Sequence, residues 1–171
     1  AGEVYERTDP EIRKFLAKTA LLPKMTAAMA ARLTGVLDAA KILEQLAGRN
    51  YFIHRHAGKV TEYQYHPLFL EFLHRKAEES LTEVELTATQ WQSAELLANS
   101  GQIEAAVELL FKVRDWKQIA RLIESFAESL MGQGRHRTLE RWLEQLPAEE
   151  LAANPWLNYW LAMAKRMFNP G

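Results

Sequence analysis

Between residues 51 and 65 the apolar pattern changes its period, and this change restricts the fold more than any other feature of the chain. In "YFIHRHAGKVTEYQY" Tyr51 and Ile53 alternate with Phe52 and His54, and Tyr63 and Tyr65 alternate with Glu62 and Gln64. A repeat of two is strand spacing, because successive side chains of a strand point to opposite faces. Gly58, in "HAGK", places a hairpin turn between the two runs. On both sides of this stretch the period returns to that of a helix.

Three helices are predicted ahead of the hairpin. "TDPEIRKFLAK" gives Thr8 and Glu11 the spacing of a capping box, sets Pro10 near the first helical position, and puts Ile12, Phe15 and Leu16 on one face. In "TAAMAARLTG" Thr26 is the N-cap, Met29 and Leu33 point inward and Gly35 stops the helix. In "DAAKILEQLAGRN" Asp38 caps, Ile42, Leu43 and Leu46 form the buried stripe and Gly48 terminates. Three helices followed by a β-hairpin is the winged-helix arrangement. A fourth helix, from Pro67 to about Ser80 with Leu68, Phe69, Phe72 and Leu73 inward, leads out of this module, which is predicted to occupy residues 1–80.

Residues 81–171 read as helices separated by short breaks, with stripes at Trp91, Ala94, Leu97 and Ala98, at Ile103, Ala106, Val107 and Leu110, and at Trp116, Ile119, Ala120, Ile123, Phe126 and Leu130. Leu139, Trp142, Leu143 and Leu146 form the next, closed by Pro147, and Asn154 and Pro155 open the last. Trp91, Trp116, Trp142 and Trp160 lie on these stripes and are expected in the core; Trp156 lies off them. Short antiparallel helices with small residues at their crossings predict the start of a repeat arm of the tetratricopeptide kind. Such arrays need about three repeats to be stable, so the chain is expected to be part of something longer. The predicted fold class is therefore mainly α: a winged-helix-like module with one β-hairpin, then antiparallel helical hairpins.

Composition removes several functions. The chain has no cysteine, which excludes disulfides, thiolate nucleophiles and thiolate metal sites, and its net charge is -1, with neither half carrying the basic footprint of a phosphate-driven nucleic-acid binder. No apolar run approaches the roughly 18 residues of a membrane span and "AGEVYERTDPEIRK" is too charged for a secretory signal, so a cytoplasmic location is expected. There is no phosphate loop, nucleophile elbow or H-E-x-x-H motif, and no catalytic residue is assigned. His54, His56, His66 and His74 fall close together, but His66 and His74 lie two helical turns, about 12 Å, apart and lack carboxylate or cysteine partners at ligand spacing, so no metal site is predicted. The third helix exposes Lys41, Glu44, Gln45 and Arg49, too mixed a surface for phosphate contacts, although Arg55, His56 and Lys59 make the hairpin tip basic.

His66 stands apart because two rules fix its position. The residue before a proline is pushed extended, and Pro67 is best tolerated at the first helical position, so His66 falls at or beside the N-cap. There an imidazole can cap the helix, or it can join free backbone N–H groups in donating to an anion such as a phosphate.

The segment "YQYHPLFLEFLHRKAEE", residues 63–79, resembles the Y-x-Y-H-x-L-F-x-x-F-L stretch of the large ATP-dependent LuxR-type transcription activators, the MalT-like regulators of the STAND class of signalling ATPases. "PEIRKFLAKTALLPKMTAAMAARLTG" is similar to that family's helix pair after its ATPase core, and "ILEQLAGRNYFI" to the stretch before its wing. "GQIEAAVELLFKVRDWKQIARLIE" and "RWLEQLPAEELAANPWLNYWLAMA" resemble the start of its helical-repeat arm. The resemblance implies a regulator with a nucleotide-binding domain, a winged helix, an arm that senses an inducer and a C-terminal DNA-binding domain; this chain has neither the Walker lysine loop nor that last domain. In related signalling ATPases a Met-His-Asp segment places a histidine on the β-phosphate of ADP, and Tyr65, His66, Pro67 and Leu68 look like it, with Pro67 in place of the aspartate. The resemblance thus implies that His66 contacts ADP in the full-length protein, where ATP or ADP is the expected cofactor. Implied partners are the neighbouring ATPase domain and arm, with an inducer, an inhibitory protein or a second protomer. The competing readings are a helical scaffold with no nucleotide role and a DNA-binding winged helix.

Overall fold

The computed structural model describes residues 5–49 and 52–167. The chain divides into two compact units, residues 1–106 and 107–171. The first contains α1 (Pro10–Thr19), β1 (Met25–Thr26), α2 (Ala27–Thr34), α3 (Ala39–Gly48), β2 (Ile53–His56), β3 (Glu62–Tyr65), α4 (Pro67–Ser80) and α5 (Glu83–Asn99). The division falls within α6 (Ile103–Val113), and the second unit continues with α7 (Trp116–Gly132), α8 (His136–Gln145), α9 (Ala148–Ala153) and α10 (Pro155–Arg166).

Three helices and a hairpin form as the spacing predicts, and β2 and β3 are joined across Gly58. The caps are partly as expected. Thr26 accepts from the Met29 N–H at 3.2 Å, and Gly35 ends α2 at φ +75°, a left-handed conformation in which a side chain would be strained. At α1 the cap is Asp9, one residue beyond Thr8, and it accepts from the Glu11 N–H at 2.9 Å; with Pro10 at the first helical position the cap must be the residue directly before it. Asp38 makes no side-chain cap bond. Tyr51 lies outside the described residues.

One strand was not anticipated. The two-residue β1 pairs with β3, so the sheet order is β1-β3-β2 and β3 is central. Two residues are too few for a period to show. On β3 only Tyr63 and Tyr65 are buried, and they face the helices. Tyr65 is 1% exposed, and its hydroxyl lies 2.7 Å from Thr19 Oγ1 in α1. The Thr19 hydroxyl donates to the Phe15 carbonyl at 2.8 Å, so Tyr65 is the donor in the pair. Burial raises the Tyr65 phenol well above its ordinary pKa.

The core of this unit joins Phe15, Leu16, Leu22, Met25, Leu43, Phe69 and Leu73. In α4 the stripe is Phe69, Leu73 and Ala77, while Leu68, expected inward, is 73% exposed because it stands outside that four-residue row. Only Leu81 and Thr82 separate α4 from α5; Leu81 is buried with Ala17 and Ala77, and Thr82 and Glu85 complete a capping box. The buried face of α5 is built from Thr89, Ser93, Ala94, Leu96 and Leu97, so Trp91, expected in the core, lies away from it at 51% exposure. Small residues on that face allow close approach to α2, and Gln102 donates to the Lys24 carbonyl at 3.1 Å.

In the second unit α10 packs against α8 and α7, and the short α9, also unanticipated, packs against both α7 and α10. Trp142 is 2% exposed at its centre; Trp116 and Trp160 are half-buried, and Trp156 is exposed. Pro147 does more than end α8: it is the N-cap residue of α9. Asn154 caps α10 by accepting from the Trp156 N–H at 3.0 Å.

Two outcomes follow from these contacts. Tyr65→Phe leaves Thr19 bonded to Phe15 and should cost about 1 kcal/mol, whereas Thr19→Val strands a buried phenol and should cost more, about 1–3 kcal/mol, in urea unfolding. Glu85 accepts from the Thr82 backbone N–H and hydroxyl and from Lys14 at 3.0 Å, which lowers its carboxyl to about 2. A depressed carboxylate stabilises the fold above its unfolded pKa near 4.5 and loses that contribution as pH falls towards 2. Thermal unfolding of Glu85→Gln should therefore be less acid-sensitive than that of the parent across that window.

Candidate functional site: the His66 corner

β3 delivers the chain to this corner and α4 carries it away. Strand alternation buries Tyr65, so the next side chain, His66, emerges on the other side of the sheet, and Pro67 starts the helix immediately after it. His66 adopts φ -59° and ψ 137°, the extended conformation required before proline. Its backbone N–H donates to the Phe52 carbonyl at 2.7 Å. Its carbonyl accepts from both Phe69 and Leu70 N–H at 2.9 Å, and its ring Nδ1 accepts from the Leu68 N–H at 3.3 Å.

Every backbone donor from His66 to Leu70 is therefore used. The free N–H groups expected at this helix start are absent, because the histidine's own carbonyl and ring consume them. The backbone of this helix start therefore offers an anion no free donor, and only side chains can. The cap also settles the ring's chemistry: with the Nδ1 lone pair engaged, a neutral ring carries its proton on Nε2, which can then only donate.

The surroundings include a residue that no motif or spacing singles out. Phe52 has φ +57°, a left-handed backbone uncommon for a bulky residue, and is held there by the His66 N–H. Its ring lies 5.5 Å from Phe69 and 6.5 Å from His66. His54, on β2, lies 6.2 Å from His66 between ring centroids. Phe52 and Leu68 are both exposed, so half-buried His66 has an apolar rim. His74 is not part of this group, since its Nε2 bonds the Ala20 carbonyl at 2.8 Å. Among the described residues no three potential metal ligands cluster.

On the other face of the wing a different arrangement holds. Glu44 of α3 accepts from Arg55 Nε at 2.9 Å and from the Tyr63 hydroxyl at 2.6 Å. The Tyr63 hydrogen bond, then Arg55, holds the Glu44 carboxyl below its ordinary pKa. Arg55, which a DNA-reading wing would direct at phosphate, is thus turned back onto the helix beside it. A cleft of about 450 Å³ near the start of α1 faces Arg13, Lys14 and Lys76, but each already has a carboxylate partner: Glu6, Glu85 and Glu79.

Three helices, a three-stranded sheet with its wing, and a histidine-capped exit helix define the N-terminal part of the first unit as a winged helix domain. Residues 1–85 match the MalT winged helix domain family, to which this part of the chain belongs. Over almost all of its length the chain is also similar to regulators described as "HTH-type transcriptional regulator MalT": 30% identical over 170 residues to that of Serratia proteamaculans and 29% to those of Cronobacter sakazakii and Yersinia pestis. Each alignment covers 98% of this chain and 19% of the relative, so the chain spans about a fifth of their length. It is a segment of MalT-family type. No helix among the described residues is long and apolar enough to cross a membrane.

The cap gives an expected outcome. His66→Ala should cost about 1 kcal/mol in denaturant unfolding, and His66→Asn, whose side-chain oxygen can accept from Leu68, should recover most of the loss.

Proposed function

We propose that this chain is the winged helix and the first part of the helical arm of an ATP-dependent LuxR-type regulator of the STAND class, and that it couples the nucleotide state of an ATPase domain to the arm. The regulators it is similar to are named as transcriptional regulators, and residues 1–85 carry their winged helix domain. In this reading His66 donates Nε2–H to a phosphate of ADP held by the ATPase domain, so that the nucleotide keeps the winged helix closed on that domain. Replacing the nucleotide or binding an inducer shifts the population to an open form and releases the arm. Residues 81–171 begin a tetratricopeptide-like surface for an inducer, an inhibitory protein or a second protomer.

One observation carries this reading: His66 spends Nδ1 on capping α4 and keeps a donor nitrogen at the surface beside exposed Phe52 and Leu68. A histidine recruited only for capping would need no second nitrogen; serine, threonine, asparagine or aspartate caps as well or better. The DNA-binding alternative is disfavoured by the commitment of Arg55 to Glu44.

The intact regulator provides the test. His66→Asn, which retains a cap acceptor, should weaken ADP binding about tenfold in calorimetry, the worth of one hydrogen bond to a charged group, and raise reporter transcription without inducer. Unchanged ADP affinity together with unchanged basal transcription would overturn the assignment.

A further inference from the structure

We propose that His54 joins His66 in a two-imidazole clasp for a single phosphoryl group, with the wing strand supplying the second donor. This rests on the reading of His66 as a nucleotide contact and extends it to a different element of the fold.

The placement of His54 is specific. On β2 it is paired with Gln64 in the antiparallel register, and its neighbour Arg55 faces the opposite side, where Glu44 holds it. Alternation therefore sends the wing's guanidinium towards α3 and leaves an imidazole on the His66 side. The two rings stand 6.2 Å apart between centroids, with planes inclined at 45°. A ring N–H reaches an oxygen at about 2.8–3.0 Å, so two rings at this spacing can meet on different oxygens of one tetrahedral phosphoryl group without moving the backbone. His54 is exposed. By contrast, His74 is already bonded to a carbonyl, and His56 lies two residues nearer the hairpin turn.

The same geometry separates an anion from a metal. Two imidazoles at about this distance would also suit a transition-metal ion, which binds the lone pair of a neutral ring. His66 has no lone pair to give, because Nδ1 accepts from the Leu68 N–H and Nε2 then bears the proton. The cap makes this ring a donor, and a ring that can only donate at its remaining nitrogen selects an oxyanion over a metal ion. Phe52, held at φ +57° against Phe69 and next to His66, walls the clasp with apolar surface, where a hydrogen bond is worth more than in open water. The strained residue is thereby accounted for, since its backbone carbonyl anchors His66 while its ring shields the site.

The test uses the whole 171-residue chain and inorganic pyrophosphate at millimolar concentration, with the imidazole nitrogens followed by NMR. The His54 and His66 signals should shift along one saturating curve while those of His56 and His74 stay in place. His54→Gln, at an exposed strand position that leaves the cap intact, should weaken pyrophosphate binding about tenfold. A shift at His66 without one at His54, or a His54→Gln variant that binds like the parent, overturns the clasp and leaves the His66 reading standing. A shift at neither ring overturns the clasp, while the His66 reading is decided separately by ADP binding in the intact regulator. A parallel shift at His56 would mean that the wing tip merely attracts anions, and would also overturn the clasp.

Discussion

The hydrogen bond between the Tyr65 hydroxyl and Thr19 fixes the central strand of the sheet to the first helix, and the rest of the domain is arranged around it. Because β3 lies between β1 and β2, its register sets theirs. Because Tyr65 must point into the core to reach Thr19, the following residue must point out. Pro67 then favours an extended backbone before it and suits the first position of the helix that follows. The position of His66 thus follows from one buried phenol and one ring-closed backbone, before any ligand is considered.

The cap controls the chemistry of this corner in the same local way. An aspartate at this position would satisfy the Leu68 N–H and leave only acceptor character. An imidazole satisfies it with one nitrogen and presents a donor with the other. Around it the aromatic residues divide by depth: Tyr65 and Phe69 are core, and Phe52 is partly exposed rim.

Much of this was legible in the sequence because it depends on short-range rules. The change of period at residue 51, Thr26 and Gly35 around α2, and the His66-Pro67 pair each name their own position. What escaped depends on contacts distant in sequence or on too few residues. The strand β1 has two residues and exists only because Met25 and Thr26 meet Tyr63 and Glu62. Trp91 satisfied a helical stripe, yet α5 turns its small residues to the core, a choice made by the closeness of α2 and invisible to a periodicity count. The left-handed Phe52 is fixed by a carbonyl bond to a residue fourteen positions away. The spent N–H groups at α4 could not be read from spacing, since they depend on how the histidine ring rotates.

Glu44 joins wing and helix through a single side chain that accepts from both Arg55 and Tyr63. It shares its helix face with Lys41, three residues earlier, and lies near the turn that ends in Arg49. A Glu-to-Lys exchange, one base in the codon, would release Arg55 and place a new ammonium between those cations, converting a self-neutralised face into one that attracts polyanions. On this surface a self-neutralised face is separated from a cationic one by the charge of one carboxylate.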